Sequence, residues 1–349
     1  MNFQEKNGSN INEMKEGKMP EVKNTKISEG GLVLHTELVD FPVAFVNALR
    51  RTLISGIPTV VVRDVQILQN TTQLPHEMMK HRVEMLPINV KPDDTTTIKD
   101  AKIELRMPVI TEAKNVTTDD FVVSSANPHI LMKDPEFDTP SLFLKVKAGE
   151  SVHITGRLAL ETGSSSQVST ATASWKVDPE MAKVEREKYV KENESDKDAG
   201  THFDNFLVQR CYYQDDQKRP YWFNLDIESV GVLKAKELLS MAVRILRKQV
   251  NDYISEAMKN IKHEKDKGVF SILMDIGGHT IGALLQSVIY ADKDIQFVSY
   301  DIPHPLKPAM AIQFATEKKT PEKVLERAKQ LVEEYCSVIE DNDGNRNPV

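Results

Sequence analysis

Residues 40–67 read DFPVAFVNALRRTLISGIPTVVVRDVQI. Phe41, Phe45, Ala48, Leu49, Thr52 and Leu53 recur at the three-and-four spacing that gathers side chains on one helical face, which predicts an amphipathic helix. Asn47, Arg50 and Arg51 fall off that face. Asp40 is expected to cap the helix, and Pro42 to sit in its first turn, where a missing N–H costs nothing. Gly56 and Pro58 end it. The β-branched run Thr59-Val60-Val61-Val62 then predicts a buried strand.

A weaker copy of this layout returns late in the chain. Displaced by 235 positions, residues 282–289, GALLQSVI, match 47–54, NALRRTLI, and strand 295–300 takes the place of Val60–Val65. A helix feeding a strand in both halves predicts two related domains in one polypeptide. In this alignment Arg50 and Arg51 correspond to Leu285 and Gln286, so the halves are expected to pair while facing different partners.

The chain has 349 residues, enough for two or three domains with real cores. Its net charge of -7 argues against a general nucleic-acid-binding surface, which needs clustered Lys and Arg. The two cysteines, Cys211 and Cys336, are too few for a four-thiolate zinc site or an iron–sulfur cluster, and no disulfide scaffold is indicated. No apolar run approaches the length of a membrane span, and residues 1–24 lack a signal-peptide core. These features predict a cytosolic or nuclear protein.

Residues 1–27, rich in Asn, Lys, Glu and Gly, read as a disordered arm. Leu32, Leu34, Thr36 and Leu38 then alternate as an edge-type strand. From 57 to 205 the pattern is mostly β, with strands expected at 102–107, 120–124, 141–148 and 151–160, a Ser/Thr-rich loop at 163–174 and a charged helix or linker at 179–195. This block reads as a domain inserted after the first helix. Strands are expected again at 205–213 and 221–228, followed by a long helix from Lys234 to Ile261. A polar connector, 262–268, leads to strand 269–275, helix 280–290, strands 295–301 and 309–316, and helix 321–339. The last helix carries Val324, Leu325, Ala328, Leu331, Val332 and Tyr335 on one face. So small a unit cannot bury two long stripes alone, so the two long helices are expected to meet and, with the two repeated helices, to make a four-helix core.

Motifs for chemistry are weak. His76 and His81 in HEMMKH are five apart, about 140° around a helix, which is wrong for a shared zinc. Thr162-Gly163-Ser164-Ser165-Ser166 lacks the Gly-Lys that closes a phosphate loop, and Asp292-Lys293-Asp294 lacks the glycine and terminal Glu of a calcium loop. No catalytic residue, cofactor or metal is therefore expected. Arg50-Arg51 has two readings: a solvated polar face, or adjacent guanidinium groups docking bidentately onto another subunit.

Asn47-Ala48-Leu49-Arg50-Arg51, Ile57-Pro58, Asn70-Thr71-Thr72, His81-Arg82 and Leu86-Pro87-Ile88, in this order, resemble the signature of the third subunit of RNA polymerase II and its archaeal D counterpart. Phe223-Asn224-Leu225-Asp226-Ile227-Glu228-Ser229-Val230-Gly231 is similar to the end of that family's dimerisation domain. The last third resembles the eleventh subunit, archaeal L, through Gly278-His279-Thr280-Ile281-Gly282-Ala283-Leu284-Leu285 and Tyr300-Asp301-Ile302-Pro303-His304-Pro305-Leu306. Two departures stand out: the cysteine cluster that many relatives carry in the inserted domain is missing, and Thr172-Ala173-Ser174-Trp175 stands where they read His-Ala-Lys-Trp.

The resemblance implies an α+β fold. An α-like dimerisation domain (28–56 and 206–262) is interrupted by a β-rich insert (57–205) and fused to a smaller α-like domain (263–349), after the arm at 1–27. It implies a non-catalytic platform that grips the largest and second-largest polymerase subunits and binds small subunits, without sequence-specific nucleic-acid contact or a membrane. The large-subunit interface is then expected at Asn47, Arg50, Arg51, His81, Arg82, Trp175 and His304. The dimerisation core is expected at Phe45, Leu49, Leu53, Leu246, Tyr253, Ile281, Leu284, Leu285, Val288, Leu331 and Tyr335. Both partners share a chain in some large cytoplasmic DNA viruses, which would place such a protein in the virus factory and the virion; a cellular source would place it in the nucleus. A free-standing homodimeric enzyme and an adaptor for a host polymerase are the alternatives.

Overall fold

The computed structural model describes residues 19–125, 129–134, 136–163, 169–304, 306 and 309–342. Residues 1–18 of the expected arm and 164–168 of the Ser/Thr-rich loop lie outside these. The chain starts with β1 (Glu21–Ser28), β2 (Val33–Val39) and α1 (Val43–Ser55). The inserted region holds β3 (Thr59–Asn70), α2 (His76–Glu84), α3 (Thr95–Asp100), β4 (Lys102–Met107), β5 (Lys114–Thr117), β6 (Val122–Ser124), β7 (Leu142–Val146) and β8 (Val152–Glu161). Next come β9 (Ser169–Trp175), α4 (Pro179–Glu192), α5 (Ala199–His202), β10 (Trp222–Ser229) and α6 (Ala235–Ala257). The last third is β11 (Ile261–His263), β12 (Val269–Met274), α7 (His279–Tyr290), β13 (Phe297–Asp301), β14 (Met310–Ala315) and α8 (Pro321–Asn342).

Two antiparallel sheets have the same plan. One runs β1-β2-β10-β9 and the other β11-β12-β14-β13. In each, a helix follows the second strand and another follows the last, so both modules are β-β-α-β-β-α. The insert interrupts the first module between α1 and β9, and has its own sheets, β3-β8-β4-β6 and β5-β7. The strand equivalent to β13 is therefore β9, and not the Val60–Val65 run, which pairs with β8 in the insert.

Burial also corrects the register of the repeat. The buried positions of α1 are Phe45, Val46, Ala48, Leu49, Thr52 and Leu53; those of α7 are Ile281, Gly282, Leu284, Leu285, Val288 and Ile289, each 236 positions further on. The residues preceding the two helices, Pro42 and Gly278, keep the same interval. A shift of one residue turns a helix by about 100°, so the 235-residue alignment that matched letters would turn α7's core face to the side of the helix. Arg50 and Arg51 thus correspond to Gln286 and Ser287.

The four helices close a ring: α1 packs on α6 and α7, and α8 packs on α6 and α7. One apolar cluster extends from Leu34 to Ile339, while the insert holds a second, around Val62, Met79, Ile103, Leu105 and Ile154. The modules also interlock at their edges. The helix α8 lies against β1, where Asn342 Nδ2 donates to Thr25 Oγ1 (3.3 Å), and α6 reaches β12.

Four local expectations change. Residues 21–27, assigned to the arm, form β1 and so place β2, expected at an edge, inside the sheet; an edge strand pairs through its backbone and tolerates Glu21, Lys23 and Lys26 facing water. The loop at 163–174 contains β9 from Ser169. There Ser169, Ala171 and Ala173 alternate inward, small enough for α1 to lie directly on the strand, and Ser169 Oγ donates to the Leu53 carbonyl at 2.7 Å. Residues 203–210 form helical turns instead of a strand, since β2 and β9 already occupy both sides of β10. Asp40 sits in a left-handed turn (φ 60°), leaving Pro42 in the capping position without a side-chain acceptor.

Candidate functional site

The neighbouring arginines of α1 take different partners. Arg50 donates from Nε and Nη2 to Asn47 Oδ1 (3.2 and 3.0 Å), one turn away on the outer face. Arg51 donates from Nε to Thr280 Oγ1 at 2.8 Å, across the seam to α7. Arg50 and Asn47 hence form a preset cationic surface with N–H donors to spare, while Arg51 joins the two modules.

His81 and Arg82 lie on exposed turns of α2. Arg82 donates from Nε and Nη2 to the Phe143 carbonyl (3.0 and 2.6 Å) and rests over the Phe143 ring, tying α2 to β7. Trp175 ends β9 half-exposed, its ring 4.5 Å from that of Tyr212. His304 is exposed in the β13–β14 loop, where its Nδ1 accepts from the Leu306 N–H at 3.1 Å. These residues occupy separate surfaces, α1, α2, the end of β9 and the loop after β13, and make no single pocket.

The expected core residues do converge. Phe45, Leu49, Leu53, Leu246, Tyr253, Ile281, Leu284, Leu285 and Val288 are buried in the shared cluster, and Leu331 and Tyr335 pack against it. Tyr335 of α8 stands 5.2 Å from the Phe45 ring and 5.9 Å from Phe41, which joins the first helix to the last. Arg247 of α6 pairs with Glu333 and Glu340 of α8 (3.1 and 2.6 Å).

One cluster had no sequence signal. Buried Glu37 on β2 accepts from Lys176 Nζ (2.7 Å) and Trp222 Nε1 (3.0 Å), and the Lys176 ammonium lies 4.4 Å from the Trp222 ring centroid. Burial raises a carboxyl's pKa, but hydrogen bonds from Lys176, Asn24 and Trp222 outweigh it and hold Glu37 below its ordinary value. The three residues come from β2, β10 and the exit of β9, so no local pattern announces them.

Among the described residues no group of three or more His, Cys, Asp or Glu is placed to hold a metal ion, and no helix is long and apolar enough to cross a membrane. Cys211 and Cys336 are buried free thiols, and burial pushes Cys336 up to about 12.

Paired β-β-α-β-β-α modules whose helices share a core define a dimerisation fold. Two families, each described as "RNA polymerase Rpb3/Rpb11 dimerisation domain", match residues 36–250 and 271–342, and the chain belongs to the RNA polymerase dimerisation-domain family they describe. Among curated proteins it is similar to DNA-directed RNA polymerase subunit Rpo3 of Pyrococcus furiosus, 24% identical over 237 residues, covering 62% of this chain and 90% of that one. It is 24% identical over 243 residues to DNA-directed RNA polymerase II subunit RPB3 of Schizosaccharomyces pombe, covering 61% of this chain and 80% of the relative. A segment of 86 residues is 38% identical to DNA-directed RNA polymerases I and III subunit rpac1 of Dictyostelium discoideum, 25% of this chain and 24% of the relative.

Proposed function

We propose that the chain is the non-catalytic assembly platform of a multisubunit DNA-dependent RNA polymerase, an intramolecular pair of α-like modules, third-subunit-like then eleventh-subunit-like. The observation that carries this reading is the single core shared by α1, α6, α7 and α8, in a chain whose two modules each match the dimerisation domain. Joining the partners by a short connector sets their effective concentration near the millimolar range (about 1 mM), so pairing does not depend on matched expression. In this reading the surfaces around Asn47, Arg50, His81, Arg82 and Trp175 hold the second-largest subunit, the second module with His304 holds the largest, and small subunits dock on the remainder.

The test is affinity capture of the tagged protein from its native source, with mass spectrometry and a promoter-independent transcription assay on the eluate. Two very large chains at equal stoichiometry with RNA synthesis are expected. A lone oligomer from actively transcribing cells would overturn the reading.

A further inference from the structure

A groove of about 340 Å³ lies in the inserted domain between the segment at 72–74 and β7. Its walls are fixed. Asn70 Nδ2 donates to the Leu74 carbonyl (2.8 Å) and Asn70 Oδ1 accepts from the Thr72 N–H (2.9 Å), which locks the first wall into a turn. Strand β7 is the second wall; among the described residues it pairs with β5 alone, and its other edge has no strand beside it. Arg82 grips that wall at the Phe143 carbonyl, and Lys147 Nζ spans to Gln73 Oε1 at 3.1 Å.

The groove's chemistry is local and specific. Leu74, Leu142 and Leu144 supply apolar surface, while Arg82, Lys145 and Lys147 supply three cations. The one carboxylate of the lining, Glu150, accepts the Lys147 backbone N–H (2.7 Å), so three cations stand against a single anion. In a chain of net charge -7 this is a reversal of sign. Arg82 carries five N–H donors, more than one carbonyl can use.

We propose that this groove docks an extended peptide segment in which Asp or Glu alternates with apolar residues, carried by another chain of the assembly; the inference rests on the assembly-platform reading above. Because Arg82 already takes the Phe143 carbonyl, a strand laid along β7 extends the two-stranded sheet through its main chain beyond that residue, and its alternate side chains face the leucines and the cations. Single-stranded RNA fits less well. Its recognition relies on aromatic faces for base stacking, and Phe143, the one aromatic residue of the lining, is 1% exposed.

The test replaces Leu142, 49% exposed, with the photo-crosslinker p-benzoylphenylalanine in the full chain, irradiates the complex purified from its native source, and sequences the attached peptide. The same crosslinker at exposed Val184 on α4 is the control. A crosslink to an acidic and apolar segment is expected, and Lys145→Glu with Lys147→Glu should lower its yield about tenfold while leaving the Val184 adduct and thermal melting unchanged. A crosslink to RNA, a crosslink insensitive to the charge reversal, or no crosslink from position 142 would overturn the proposal. Failure of the polymerase reading is seen separately: the captured complex then lacks the two very large chains, whatever position 142 attaches to.

Discussion

Arg51 and Thr280 meet at 2.8 Å across the seam between the first helix of one module and the first helix of the other, 229 positions apart in sequence. Arg50, its neighbour, is held by Asn47 on the outer face. Two adjacent guanidinium groups thus take different partners, one across the seam between the modules and one within its own helix, where the proposed function gives it the large-subunit surface.

Substitution should separate these roles. Arg51→Ala is expected to cost no more than about 1 kcal/mol of stability, since the bond is exposed to water, and to leave capture of the second-largest subunit intact. Arg50→Glu should change stability by less than about 0.5 kcal/mol yet weaken capture. Denaturant melts and pull-downs of the two variants check this; equal loss of capture in both would contradict the division.

Cleaving the chain between Lys259 and Asn260, in the exposed turn that joins α6 to β11, should leave both pieces together. The modules are held by a common apolar cluster and by Arg247 with Glu333 and Glu340, none of which the cut touches. Co-elution of the fragments at micromolar concentration is the expected result, and two separate peaks would show that the connector does the holding.

Leu285→Ala opens a cavity at a fully buried position of α7 and should cost about 2–5 kcal/mol. Because the core is common, amide exchange should rise together in β10 and β14. Acceleration confined to β14 would mean that the modules are stabilised separately.

The Tyr253 hydroxyl is buried without a hydrogen-bond partner among the described residues, and burial pushes its phenol above the ordinary value. Tyr253→Phe removes the unpaired group and should stabilise by about 1 kcal/mol. A raised folded pKa leaves stability intact below the unfolded value of about 10 and removes it as pH climbs toward the folded value. Urea melts from pH 8 to 11 should therefore fall less steeply for the variant.

Glu37 behaves oppositely. Its depressed pKa contributes stability that is present above the ordinary glutamate value of about 4.3 and is lost as pH falls through the lower folded value. Glu37→Gln should flatten that acid limb and cost about 1–2 kcal/mol at neutral pH, as Lys176 loses its charged acceptor. Thermal melts between pH 3 and 7 measure both.

Apolar periodicity made α1, α6, α7, α8 and the strands β12 to β14 legible, because each buries one face in the large cluster. Edge strands β1 and β9 escaped the same reading. One carries charges that suit an edge, and the other buries only Ser and Ala beneath α1. The repeat was visible but misregistered by one residue, since Ala and Leu recur in both helices while the face they occupy is set by packing. For the candidate site, sequence pointed to Arg50 and Arg51 but not to their separate partners. The Glu37 cluster joins residues 139 and 185 positions apart, a distance over which spacing carries no signal.

The contact of α8 with β1 also sets a clock. Thr25 and Asn342 are separated by 317 positions, so at synthesis rates of about 5–20 residues per second the ribosome makes the first of them roughly 15–60 s before the second. From the completion of α6 at Ala257 to the emergence of Asn342, roughly 4–17 s at the same rates, α6 and β1 lack their contacts with α8. The single chain meets this delay on the ribosome, where two separately translated partners would meet it as a search through the cell for one another.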